Sequence, residues 1–130
     1  MVLKIYGVPG SQPVRAVMWV LEMKKLEYEL VKAVPGTPAD KKYSSQHPAY
    51  QKLSKGRGQI PMMDDDGLVI GESHAILTYL CQKHGWTDLY PADLRGTLHF
   101  LSHICLTIFF FFNLFEHLIL IFVTHIIRFQ

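Results

Sequence analysis

The sequence contains two cysteines in 130 residues, Cys81 and Cys105, and no C-x-x-C pair. That scarcity argues against a disulfide framework, a zinc ribbon and thiol–disulfide exchange, each of which needs paired thiols or a thiolate nucleophile. Excess charge is also lacking. The formal net charge is +2, too small to point to nucleic acid or an anionic membrane as a partner. H-E-x-x-H is absent, and His99 and His103 have helical i, i+4 ligand spacing but no third ligand nearby, so no metal site is expected. Residues 1–4 lack the basic and apolar regions of a secretory signal, which predicts a cytoplasmic location. The most uneven absence is positional. Of the 24 Lys, Arg, Asp and Glu residues, only Glu116 and Arg128 lie beyond Arg95. All eight Phe lie in that same tail, whereas every Trp and Tyr precedes it. This change of composition marks a boundary.

Ahead of the boundary the periodicity is that of a small α/β domain. Residues 2–6 alternate as a strand, with Leu3 and Ile5 on one face. Gly7, Pro9 and Gly10 break it, and Pro13 suits a first helical turn, where a missing N–H costs nothing. Val14, Val17, Met18 and Leu21 follow at i, i+3, i+4 and i+7, an apolar helical stripe. Residues 28–31 read as a second strand. Residues 34–58 carry three prolines and little periodicity, and we read them as a partly helical surface segment. Residues 61–64 and 68–70 are short strands around the hairpin signal Asp65, Asp66 and Gly67. Ser73 opens a helix with Ile76, Leu77, Leu80 and Cys81 on its buried stripe, stopped by Gly85. The order is β-α-β, a variable segment, then β-β-α, the thioredoxin arrangement. The domains expected are residues 1–86, a linker over 87–95, and a hydrophobic, helical tail over 96–130.

Three short stretches carry candidate chemistry, and each has an ordinary reading beside the functional one. Ser11 precedes a helix, where a hydroxyl serves as an N-cap. The same hydroxyl could donate to a thiolate and lower a thiol pKa from about 8.5. Ile60-Pro61 precedes a strand as a trans proline on an edge, or as a cis proline leaving the Ile60 N–H and C=O open to a peptide-like ligand. Glu72 and Ser73 open a helix, either as a plain acidic N-terminus or as a holder for a zwitterionic amino-acid end, with Ser73 on the carboxylate and Glu72 on the ammonium.

Taken together, IYGVPGSQPVRAV, QIP, GESHAILTYL and DLYPADL resemble the N-terminal domain of cytosolic glutathione transferases, closest to the serine-type theta and delta-like classes, over about residues 2–94. The resemblance implies that Ser11 stabilises the glutathione thiolate. It also implies that Ile60 holds the cysteinyl part through its backbone beside a cis Pro61, and that Glu72 and Ser73 take the γ-glutamyl end. Gln12 and Gln59 are implied neighbours. Two departures stand out at the glycyl end. Gly58 stands where the family often has a histidine, and His47 lies about two residues away from the other expected histidine. Lys41, Lys42 or Lys55 are alternative cations there, and Tyr6 is the rival to Ser11.

The function expected is a glutathione transferase-like activity, truncated and weak as given, with glutathione as co-substrate, no further cofactor, a small electrophile as second substrate and a homodimer as the assembly. The alternative is a non-catalytic glutathione-binding or protein-interaction module. In the resembled family DLYPADL introduces an all-helical domain carrying the electrophile pocket, and nothing after Arg95 resembles it. The tail is long enough to cross a bilayer, which needs about 20 residues. Asn113, Glu116 and His117 would then sit near mid-membrane, where an acidic residue costs on the order of 2.5–3.5 kcal/mol. Phe109, Phe110, Phe111 and Phe112 imply a pyrimidine-rich coding tract, so we read the tail as non-native, from a retained intron or mis-assigned exon, rather than as an anchor.

Overall fold

The computed structural model describes residues 2–91, 93, 95–98 and 102. Seven elements follow in order: β1 (Leu3–Gly7), α1 (Gln12–Met23), β2 (Tyr28–Lys32), α2 (Pro48–Leu53), β3 (Met62–Asp65), β4 (Leu68–Gly71) and α3 (Ser73–His84). The strands form one sheet in the order β2-β1-β3-β4. β1 runs parallel to β2, with Ile5 opposite Leu30, and antiparallel to β3, with Ile5 opposite Met63. The β-α-β then β-β-α arrangement of the thioredoxin-like fold is therefore present, with element ends within a residue or two of those read from periodicity.

Alternation along β1 buries Leu3, Ile5 and Gly7 and leaves Lys4 and Tyr6 half-exposed on the other face. Val14, Val17 and Leu21 of α1 and Ile76, Leu80 and Cys81 of α3 are buried. Removing each such aliphatic side chain from water contributes roughly 1.5–3 kcal/mol, which outweighs the modest intrinsic helix propensity of two β-branched valines. Met18 and Leu77, expected on these stripes, are only half-buried. The end of α1 is a Schellman motif. Lys25 adopts φ 54°, its N–H donates to the Glu22 carbonyl, and the Leu26 N–H donates to the Leu21 carbonyl, both at 3.0 Å. The β3–β4 hairpin pairs Asp65 with Leu68, so its loop is Asp66 (φ 53°) and Gly67 (φ 91°), the positive-φ pair of a type I′ turn.

The segment over 34–58 needs correction. It is partly helical as expected, but it is not simply a surface run. Ser44, Ser45 and Ser54 are buried, and Tyr50 of α2 packs with Ala33 and Met62 in a second core cluster flanked by Tyr6, Leu53, Ile60 and Val69. A helix of six residues is too short to persist alone, so this cluster is what holds α2 in place.

Asp65 ties β3 to α3. Its Oδ2 accepts a hydrogen bond from the Tyr79 hydroxyl at 2.7 Å and pairs with Lys83 one turn further along the helix. Lys83 first, and then the Tyr79 hydroxyl, hold the Asp65 carboxyl below the usual carboxylate range. A carboxyl lowered in the folded state contributes stability above its unfolded value of about 4 and loses it as pH falls through the lowered value. Asp65→Asn is therefore expected to reduce stability at pH 7 and to flatten the acid side of the stability curve. Urea midpoints for both proteins from neutral pH downward check this; parallel curves would show that Asp65 is not linked to folding.

The chain divides into two compact units, Met1–His84 and Gly85–Gln130. In the second, Asp93 starts a helical turn at 95–98, its carboxylate accepting from the Gly96 N–H at 2.8 Å and its carbonyl from the Thr97 N–H at 3.0 Å. The tail read from composition over 96–130 lies almost entirely outside the described residues, as do His99 and His103. No helix among the described residues is long and apolar enough to cross a membrane.

Candidate functional site

Strand register brings the three candidate stretches to one end of the sheet. Met62, at the start of β3, pairs with Tyr6 near the end of β1 on one side and with Gly71 at the end of β4 on the other. Antiparallel pairing thus places the β1–α1 loop with Ser11, the Ile60-Pro61 step before β3, and Glu72 and Ser73 after β4 at the same edge.

Ser11 occupies the N-cap position of α1 with extended backbone (φ −80°, ψ 125°), yet its side chain makes no capping hydrogen bond. Its backbone does the local work. The Ser11 N–H donates to the Val8 carbonyl and its carbonyl accepts from the Arg15 N–H, both at 3.0 Å. Arg15 turns back over the loop, donating from Nη1 to the Pro9 and Gly10 carbonyls at 3.0 Å each. The loop is braced from α1, and the hydroxyl is left available. Gln12, the first residue of α1, is exposed. The rival Tyr6 packs edge-on against Tyr50, with ring centroids 6.1 Å apart, and burial pushes its phenol up.

The Ile60–Pro61 peptide is cis. Just before it, the Tyr50 hydroxyl donates to the Gln59 carbonyl at 2.6 Å. Burial of Tyr50 pushes its own ionisation well up, so it remains a donor at neutral pH. The Gln59–Ile60 peptide is trans, and its N–H and C=O point in opposite directions. With the Gln59 carbonyl drawn inward to Tyr50, the Ile60 N–H is turned outward. Among the described residues neither the Ile60 N–H nor its C=O has a hydrogen-bond partner.

Gly58 is the position where the resemblance called for histidine, and the structure explains why none stands there. It has φ 61°, and a Cβ on it would lie 2.7 Å from Gln46 Nε2 and 2.8 Å from Gln51 Nε2. Its N–H donates to Ser54 Oγ at 3.2 Å. A side chain here would be strained by the positive φ and would have to displace both glutamine amides. His47 caps α2, its Nδ1 accepting from the Ala49 N–H at 3.2 Å.

Glu72 has φ 72°, a left-handed conformation that costs a non-glycine residue on the order of 1–3 kcal/mol. Its carbonyl accepts the Ile76 N–H at 3.0 Å, closing the first turn of α3. The N–H groups ahead of that bond, beginning at Ser73, have no intrahelical partner and carry the positive end of the helix dipole. A cleft of about 390 Å³ opens here, lined by Pro35, Arg57, Gln59, Ile60, Pro61 and Glu72, with Gly58, Met62 and Gly71 completing its wall. Of the residues singled out from sequence, Gln59, Ile60, Pro61 and Glu72 line it. Ser11, Gln12, His47 and Ser73 do not. Sequence reasoning missed Arg57 and Tyr50. The first is legible in retrospect as a long cation between Gly56 and Gly58, immediately before QIP; the second has no local signal.

The sequence model described as the glutathione S-transferase N-terminal domain matches residues 5–88. Glutathione S-transferase 1 of Manduca sexta is 34% identical over 97 residues, spanning 72% of this chain and 41% of that protein. Among solved structures, glutathione transferase E6 of Drosophila melanogaster superposes with a TM-score of 0.63 at 33% identity, over 74% of this chain and 41% of that one. The theta-class enzyme of Xanthomonas axonopodis pv. citri, solved with glutathione bound, gives 0.62 at 27% identity, over 74% of this chain and 43% of the other. The chain thus spans about two fifths of the length of these relatives. On the match over residues 5–88, the chain belongs to the glutathione S-transferase family.

Proposed function

We propose that this chain binds glutathione at the sheet end described above and ionises its thiol for attack on a small electrophile. The Ser11 hydroxyl donates to the thiolate, the Ile60 N–H and C=O hold the cysteinyl segment as an added antiparallel strand, and Glu72 with Ser73 takes the γ-glutamyl end. Gln12, Gln59 and His47 are the neighbours in this reading. Glutathione acts as co-substrate, with no further cofactor. The observation that carries it is the outward Ile60 backbone, unpartnered among the described residues and set in one cleft with Glu72. A peptide ligand supplies both missing partners. Homodimerisation and a cytoplasmic location accompany the reading by family likeness.

Titration of the full chain with glutathione, alongside conjugation of a model electrophile, tests it. A dissociation constant between about 1 μM and 1 mM is expected, corresponding to roughly 8 to 4 kcal/mol of binding. A silent titration well above that range would remove the proposal. Binding without turnover would instead favour a non-catalytic module.

A further inference from the structure

Arg57 is an exposed cation that lines the cleft. Several other cations are occupied: Arg15 holds two loop carbonyls, Lys4 pairs with Glu29, Lys41 with Asp40 and Lys83 with Asp65, and Lys32 lies over the Tyr43 ring; Arg57 differs from the remaining lysines in lining the cleft. The Arg57 backbone N–H donates to the Ser54 carbonyl, but its guanidinium has no partner among the described residues. Nor does the carboxylate of Glu72, although the two side chains line one cleft.

The guanidinium lies at one particular end of that cleft. A Cβ built on Gly71 would sit 3.5 Å from Arg57 Nη1. Arg57 therefore reaches from the loop before β3 to the last residue of β4, immediately ahead of Glu72. A positive and a negative side chain thus line one cleft with no ion pair between them, ahead of the N-terminus of α3. A zwitterionic α-amino-acid end, carrying an ammonium and a carboxylate on one carbon, matches such a pair. A planar guanidinium also suits a carboxylate better than an ammonium does, because it can donate two parallel hydrogen bonds.

We propose that Arg57 binds the α-carboxylate of the γ-glutamyl residue, opposite Glu72 on the ammonium, so that the cleft selects ligands with a free α-amino-acid end. This rests on the glutathione reading and goes beyond it in assigning the recognising cation. Sequence reasoning had sought cations only for the glycyl carboxylate, among Lys41, Lys42 and Lys55.

The test compares wild type, Arg57→Ala and Arg57→Lys with three ligands. These are glutathione, its glycyl monoethyl ester, and the analogue in which 4-aminobutyryl replaces γ-glutamyl, which keeps the amine and lacks the α-carboxylate. Arg57→Ala should weaken glutathione and the glycyl ester alike by about tenfold, the scale of one exposed charge-assisted contact. Binding of the 4-aminobutyryl analogue should be unchanged by the substitution, and Arg57→Lys should fall between. The unfolding midpoint should not move, because the side chain makes no hydrogen bond or ion pair among the described residues. Wild-type affinity for glutathione in Arg57→Ala overturns the assignment, as does a loss that persists with the 4-aminobutyryl analogue. A loss that disappears with the glycyl ester also overturns it, because Arg57 would then serve the other carboxylate. Failure of the wild type to bind glutathione at all removes the underlying reading and this assignment together, which separates the two failures.

Discussion

Ser11→Ala is expected to return the thiol of bound glutathione to a pKa of about 8.5 and to cut conjugation by on the order of 100-fold, while leaving the unfolding midpoint where it is. The rate effect follows from deleting one preorganised donor aimed at a developing anion, which typically costs 10²-fold or more. The stability half is the more diagnostic one. A serine that caps a helix loses about 1 kcal/mol on conversion to alanine, but the Ser11 side chain makes no capping hydrogen bond. Its backbone bonds to Val8 and Arg15 survive the substitution. Thiolate absorbance of the bound ligand across pH, read together with urea midpoints, separates the roles. A midpoint that falls by the worth of a cap, with an unchanged thiol pKa, would make Ser11 a structural residue and return Tyr6 to consideration.

Glu72→Gly should move stability and binding in opposite directions. At φ 72° a glutamate is strained and a glycine is not. Relief of that strain should stabilise the fold by about 1 kcal/mol, net of the larger entropy a glycine gives the unfolded chain. The same change removes the carboxylate proposed for the ligand ammonium, a charged hydrogen bond worth about 1.5–3 kcal/mol, so affinity for glutathione should drop roughly 10- to 100-fold. Glu72→Gln keeps the backbone strain and loses only the charge, so it should weaken binding without the gain in stability. A glycine variant that binds as tightly as wild type would show that the conformation is held for local folding reasons alone.

How far this protein was legible in advance depended on the range of the interactions involved. The alternation of Leu3 and Ile5, the stripe of Val14, Val17 and Leu21, and the turn at Asp66 and Gly67 are local patterns, and each became the element it suggested. Residues 34–58 resisted because Tyr50 is buried by partners remote in sequence, Ala33 and Met62, which no short window contains. Gly58 illustrates a different difficulty. Its place in the family pattern suggested a lost histidine, whereas the left-handed backbone at φ 61° favours glycine there.

From sequence alone came the change of composition at Arg95, the thioredoxin-like order of elements, and the three stretches proposed to hold glutathione. All of these rest on residue type and near-neighbour spacing. Tertiary structure decided how they meet. Pairing of Met62 with both Tyr6 and Gly71 puts the stretches at one sheet end. The Tyr50 hydroxyl on the Gln59 carbonyl turns the Ile60 N–H outward, and the turn that closes on Ser54 leaves Arg57 reaching toward Gly71. A side chain's type is written in the chain, but the direction in which a peptide or a guanidinium points is set by what packs behind it.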